Sequence, residues 1–312
     1  MPFGLSKRAL AAAFVIILPS TIYYYKSQMP PLSSIRASNS AILSSTSLPS
    51  HRRFRQGIAE AFAHHTKGNA RIFILGRNKQ AAETILSGFP KPSSPEAKHQ
   101  FLECDVSLMK NIQKATQELR EKHGVDKINY LVMSQGYFSV AGYTETEEGL
   151  DKKMAPKKEG GDAKVLSVFS AGHGGNIDRE DLGFKKSYSV SKLAVQTPTY
   201  NDLMLEGFAA RNPTLTFGHA YPGGVRTNLG NAKDSPLWMK ASMKLALGLA
   251  YPFTVSVRDC GEYLLHGIVN TMNHPGAWRI TNDGSDLGKK NYYGSDEDRK
   301  ALWEHTVQVT KV

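Results

Sequence analysis

The chain has 312 residues, 40% of them hydrophobic, which is enough for one large core or two smaller ones. Its two cysteines, Cys104 and Cys260, show no metal-ligand spacing, so they are expected to be buried thiols, with no disulfide framework and no metal site. A net charge of +11 would suit nucleic acid, but residues 1–55 hold seven Lys/Arg and no Asp/Glu, against 32 basic and 28 acidic beyond. The excess is N-terminal, without a basic stripe or aromatic platform, and this argues against nucleic acid as a partner.

Lys7-Arg8 precede an apolar run from Ala9 to Tyr25 that ends in three tyrosines and Lys26. Seventeen residues lie at the short limit for a spanning helix, and Pro19 and Ser20 weaken it. The basic start fits a signal anchor with its N-terminus in the cytosol; a cleaved signal peptide and a leader without function are the alternatives. The anchor reading implies membrane association, for example at the endoplasmic reticulum; the alternative location is cytoplasmic. Residues 27–50, rich in Ser and Pro, read as a flexible linker. This gives two regions: an anchor and linker over 1–50, and a folded domain over 51–312.

From Gln56 the pattern changes. Ile58 to Ala63 predicts a helix ended by Gly68. Arg71 to Leu75 is a short strand closing on Gly76-Arg77-Asn78, followed by a helix from Lys79 to about Ser87. Phe101 to Cys104 is the next strand, ending at Asp105, with Ser107 expected to cap a helix that runs to His123. Ile128 to Met133 and Val165 to Phe169 are further strands, breaking at Gly136 and Ser170. A long helical run starts around Ser187, and Leu215 to Ala220 is a strand ending at Tyr221-Pro222-Gly223-Gly224. Leu237 to Leu249 is an apolar helix, read as a lid over a hydrophobic substrate or as plain core. A helix over Val257–Asn270, an edge strand at Ala277–Ile280 and an amphipathic helix from Glu297 to Val309 complete the chain. Short strands alternating with helices predict an α/β fold with a doubly wound parallel sheet. In such sheets ligands bind beyond the carboxyl ends of the strands, where Arg77, Asp105, Gly136, Ser170 and Pro222-Gly223 all fall.

Tyr188 and Lys192 are spaced i, i+4, which on a helix puts them on one face. An ammonium there favours a phenolate and suits Tyr188 to general acid/base work, with the Ser170 hydroxyl to hold a substrate oxygen. Alone the pair recurs by chance in helix-rich chains; its place among the strand ends gives it weight.

Together these residues resemble the short-chain dehydrogenase/reductase family, in particular its membrane-associated, retinol-dehydrogenase-like and fungal members, from about Gln56 to Val312. Tyr188 and Lys192 match the family's Tyr-x-x-x-Lys and Ser170 its catalytic Ser. Pro222, Gly223, Val225 and Thr227 match its Pro-Gly-x-Val-x-Thr beside the nicotinamide. Asp105-Val106 match the adenine-contacting pair, and Gly136 the last residue of Asn-Asn-Ala-Gly. The resemblance implies a Rossmann-like sheet and hydride exchange between NAD(P) and an alcohol or carbonyl, here a hydrophobic one. Tyr188 would transfer the proton, Lys192 would hold the ribose hydroxyls, and Ser170 would orient the substrate oxygen. Arg77, where NAD enzymes carry an Asp, suits the 2′-phosphate of NADP, which is favoured over NAD.

Two stretches depart from the family. Gly57-Ile58-Ala59 matches only the end of the Gly-rich turn, and His51 to Gln56 stand where its first Gly and the first strand belong. Between Gly136 and Val165 about one helix of ~12 residues is lacking, with the family's tetrad Asn and usual dimer surface. The sheet is therefore expected to be incomplete at its N-terminal strand, and dimerisation is doubtful. A relative with impaired catalysis, acting as a membrane-tethered binding protein, is the competing function.

Overall fold

The computed structural model describes residues 29–43, 54–134, 163–226, 248 and 251–310. Helices α1 (Leu32–Leu43) and α2 (Phe54–His65) precede strand β1 (Ile72–Gly76), helix α3 (Lys79–Ser87), strand β2 (His99–Glu103) and helix α4 (Met109–Glu121). Strands β3 (Tyr130–Met133) and β4 (Lys164–Val168) follow, then helix α5 (Val190–Arg211) and strand β5 (Thr216–Ala220). Helix α6 (Val257–His266), strand β6 (Gly276–Ile280) and helix α7 (Asp296–Val309) complete the described elements.

Among the described residues all the strand pairs are parallel, as the alternation of strands and helices predicts. The described strands form two sheets: β1 pairs with β2, and β3, β4, β5 and β6 lie side by side in that order. One hydrophobic cluster nevertheless joins them. Ile72 and Ile74 of β1 and Tyr130 and Val132 of β3 meet Leu166, Leu264 and Ile268 in it, along with Ile58 and Phe62 of α2. The Phe62 ring stands edge-on to Tyr130 with centroids 6.0 Å apart. Phe73, on the other face of β1, enters a second cluster with Leu102, Cys104, Ala115 and Leu119, as the two-residue period of a strand requires.

Several local expectations are corrected. The reading of 27–50 as a flexible linker does not hold for 32–43, which is helix α1 packed on α6. Its Asn39 side chain is fully buried and donates to both the backbone oxygen and the carboxylate of Glu262, at 3.1 Å each. Arg36 reaches Asp259 at 3.2 Å and Glu262 at 3.4 Å, and His65 of α2 meets the same Glu262 carboxylate at 2.9 Å. Glu262 is buried, which opposes its charge, but His65, Asn39 and Arg36 hold it below the usual carboxylate range.

Ser107 does not cap α4. Leu108 is the cap residue, and the Ser107 hydroxyl donates to Asp105 instead. The predicted helix over 257–270 is α only to His266 and continues as a π-turn, Gly267–Thr271. The Lys164 ammonium donates to the Ile268 carbonyl there, at 2.9 Å. Strand β6 is an edge strand, as expected.

Both cysteines are buried thiols outside any disulfide, and burial, with Asp259 nearby, pushes the Cys260 thiol up to about 12. Among the described residues no helix is long and apolar enough to cross a membrane. The run Ala9–Tyr25 lies outside them, as does Leu237–Leu249 apart from residue 248.

Candidate active site

At the carboxyl end of β1 stands Arg77, its side chain 59% exposed. Next to it, beyond the end of the neighbouring strand β2, lies Asp105, 3.5 Å from the guanidinium. Ser107 donates to Asp105 from both its hydroxyl and its backbone N–H. Desolvation opposes the charge on Asp105, but Ser107 and Arg77 outweigh it and hold the carboxyl below its ordinary value. Val106 is partly buried against the cluster under α4. The structure thus joins two residues singled out for opposite ends of the adenosine portion of a dinucleotide.

Gly57 is placed differently from expectation. It lies within helix α2, one turn from its start, and not in a turn before it. A Cβ on Gly57 would stand 2.1 Å from the Val257 carbonyl oxygen, and one on Gly261 would stand 2.1 Å from the Gly57 backbone. Gly57 thus permits two helices to touch backbone to backbone.

Beyond β5, Pro222 is buried and its carbonyl accepts from the Cys260 thiol at 3.6 Å. Gly223 follows with φ of 73°, a left-handed conformation, with Asn282 closely packed where a side chain would point. Val225 is buried and bridged in parallel to Val255. Gly136 and Thr227 lie outside the described residues.

Ser170 follows β4, with its backbone N–H donating to Nε2 of His219 at 3.0 Å. His173, three residues on, sets its ring 4.0 Å from that of Tyr221, so an imidazole and a phenol flank the strand ends. Neither was singled out by sequence: His173 follows Ser170 in its loop, Tyr221 directly precedes Pro222, and neither belongs to a motif.

The Tyr188–Lys192 pair is not arranged as a helical i, i+4 pair. Helix α5 begins at Val190, and Ser189 is its cap, accepting from the Lys192 N–H at 3.0 Å. Tyr188 therefore stands outside the helix, where its side chain packs against the cluster of Leu182, Phe184, Tyr200, Leu203 and Leu302. The Lys192 ammonium is held at 2.8 Å by Asp178, lies 3.8 Å from Asp181, and donates to the Ser187 hydroxyl. Lys192 in turn holds the Asp178 carboxyl below its usual range. Asp181 is buried, which opposes its charge. Backbone donors from Lys186, Ser187 and Lys185 and the Ser187 hydroxyl overcome this and bring it down to about 2. This acid cap on the loop before α5 was missed because Asp178 and Asp181 fit no motif.

No protein-family model matches the chain. In sequence it is similar to an oxidoreductase of Emericella nidulans, 28% identical over 69% of this chain and 68% of the relative. It is also similar to the short-chain dehydrogenase/reductase SAT2 of Stachybotrys chartarum, 25% identical over 68% of this chain and 67% of the relative. In fold it is similar to a mutant short-chain dehydrogenase/reductase of Serratia marcescens, with a TM-score of 0.51 at 14% identity over 77% of this chain and 98% of that one. A blue fluorescent protein from a metagenomic library, solved in complex with NADPH, gives 0.51 at 15% identity over 79% of this chain and all (100%) of that one. The fold is therefore a Rossmann-like α/β fold of the kind found in short-chain dehydrogenase/reductases. These sequence relatives are fungal oxidoreductases, to which the chain is similar over about two thirds of their length.

Proposed function

We propose that the chain is a nicotinamide-dependent oxidoreductase acting on a hydrophobic alcohol or carbonyl, with NADP preferred to NAD. The observation that carries this reading is the alignment of Arg77, Asp105, Ser170 and Pro222-Gly223 at the carboxyl ends of parallel strands β1, β2, β4 and β5. Arg77 and Asp105 suit the adenosine half of the cofactor, with Arg77 exposed enough to take a 2′-phosphate. Pro222 and Gly223 suit the nicotinamide half, with Gly223 in the left-handed turn that follows β5. Bound there, the cofactor supplies or accepts the hydride. Ser170 orients the substrate oxygen, Tyr188 moves the proton, and Lys192 steadies the ribose and the phenolate.

One observation favours the second reading, a binding protein with impaired catalysis: the Lys192 ammonium is engaged by Asp178, and Tyr188 stands before the helix. Tethering to a membrane through residues 9–25 belongs to that reading. The two are separated by titrating the purified chain with NADPH and NADH and then assaying carbonyl reduction. Saturable binding that favours NADPH, with turnover abolished in Tyr188→Phe while cofactor binding survives, is the expected outcome. Turnover that persists in Tyr188→Phe would assign the proton to another group. Binding without turnover in the parent chain would favour the binding protein.

A further inference from the structure

We propose that His219, Asp202 and Arg279 form a buried brace that sets the backbone of Ser170, acting as positioning residues for it; the proposal rests on the reading of Ser170 above. Strand β4 keeps to its ladder as far as Phe169, whose N–H donates to the Ala220 carbonyl at 2.7 Å. At Ser170 the chain leaves the ladder, and its N–H turns to a side chain, His219 Nε2, at 3.0 Å. Accepting that hydrogen requires Nε2 to carry none of its own. The ring hydrogen is therefore on Nδ1, which donates to Asp202 Oδ1 at 2.6 Å. The other oxygen of Asp202 accepts from Arg279 Nε at 3.1 Å. The remaining guanidinium nitrogens donate to the carbonyls of Gly288 and Lys290, at 2.8 Å each, and of Asn291, at 3.0 Å. The circuit closes where the Asn291 amide donates to the Gly172 carbonyl at 3.2 Å, two residues from Ser170.

The burial of this circuit is what calls for an explanation. The side chains of His219, Asp202 and Arg279 are 0%, 5% and 8% exposed. Desolvating the charges of Asp202 and Arg279 is costly, a cost that an apolar trio of the same volume would avoid. A connected polar network supplies fixed geometry instead, because every member directs its neighbour. The three residues come from β5, α5 and β6, so the loop carrying Ser170 is registered against three elements at once. Asp202 determines which nitrogen of His219 carries the hydrogen, and Arg279 fixes the orientation of Asp202. Phe169, stacked on His219 with centroids 6.2 Å apart, covers the ring on the strand-end side.

The test uses the full chain with His219→Phe, which removes the acceptor, and His219→Gln, which can restore one. Exchange of the Ser170 amide hydrogen is followed together with kcat and KM for carbonyl reduction. In His219→Phe, Ser170 protection is expected to fall about tenfold, the scale of one net hydrogen bond. The value of kcat should fall by a similar factor with the NADPH KM unchanged, and His219→Gln should recover much of both. Unaltered Ser170 protection in a folded His219→Phe would overturn the proposal, as would unaltered kcat beside lost protection. If His219→Phe fails to fold, Asp202→Asn decides by the same two readouts. If the parent chain reduces no carbonyl, the reading of the site fails on its own account, and the exchange measurement still decides whether the brace holds Ser170.

Discussion

Arg77 and Asp105 are each other's partner, so in the proposed function a 2′-phosphate would share the guanidinium with a carboxylate. At 59% and 35% side-chain exposure the pair contributes little to stability, and Arg77 can turn towards an anion at small cost. Arg77→Ala is expected to weaken NADPH about 10–100-fold while leaving NADH within about threefold, since a charge-assisted contact is lost for one cofactor only. Equal losses in parallel titrations would remove Arg77 from that role. Asp181 gives a prediction about acid. Its carboxyl, brought from 3.8 to about 2, contributes stability that is fully present above its unfolded value and is lost as pH falls through about 2. Asp181→Asn should therefore cost about 1–3 kcal/mol near neutrality. The difference from the parent should shrink below the usual carboxylate value and vanish near the folded one, as measured by denaturant melts across that range. The sequence made Arg77 and Asp105 legible because each closes an apolar run. It hid the setting of Tyr188, because Ser187, Ser189 and Ser191 all compete to cap one helix and the winner, Ser189, excludes the Tyr from it.

At the scale of elements, strands were easier to read than helices that depend on a distant partner. Ile72-Phe73-Ile74 and Val165-Leu166 are apolar runs with sharp polar ends, and the structure places strands there. Helix α1 reads LSSIRASNSAIL, poor in strong helix formers, and is held by Glu262, far along the chain, so local propensity could not reveal it. The brace around Ser170 was equally hidden, because His219, Asp202 and Arg279 lie on three elements and share no spacing. The contact between α2 and α6 was half visible: Gly57 stood out as the end of a Gly-rich turn, whereas it lies inside a helix against Val257 and Gly261. Gly57→Ala or Gly261→Ala should force the two helices apart and destabilise by more than the ~1–3 kcal/mol typical of overpacking, since the obstruction is backbone. Gly88→Ala, whose Cβ would meet only the Ile85 carbonyl oxygen at an ordinary 3.4 Å, should stay within about 0.5 kcal/mol. A thermal melt of the three variants checks this, and equal melting of all three would contradict it.

For the whole molecule, the division into a two-stranded and a four-stranded sheet implies unequal resistance to opening. Strand β2 buries little beyond Leu102, whereas every residue of β5 is buried and both its neighbours are strands. Native-state hydrogen exchange should find β2 and α4 opening together at a lower free energy than β4 and β5. Identical protection in all four would mean that the two sheets open as one. The shared cluster of Ile72, Phe62 and Tyr130 packs the two described sheets against one another.

The clasp between α1 and α6 also bears on the order of events during synthesis. Asp259 follows Arg36 by 223 residues, and Glu262 follows Asn39 by the same 223. At ~5–20 residues per second, α1 waits roughly 10–45 s on the ribosome before its partner exists. A 12-residue helix is marginal in water without tertiary contacts. Helix α1 is thus expected to take its final form after the sheet, when Glu262 becomes available.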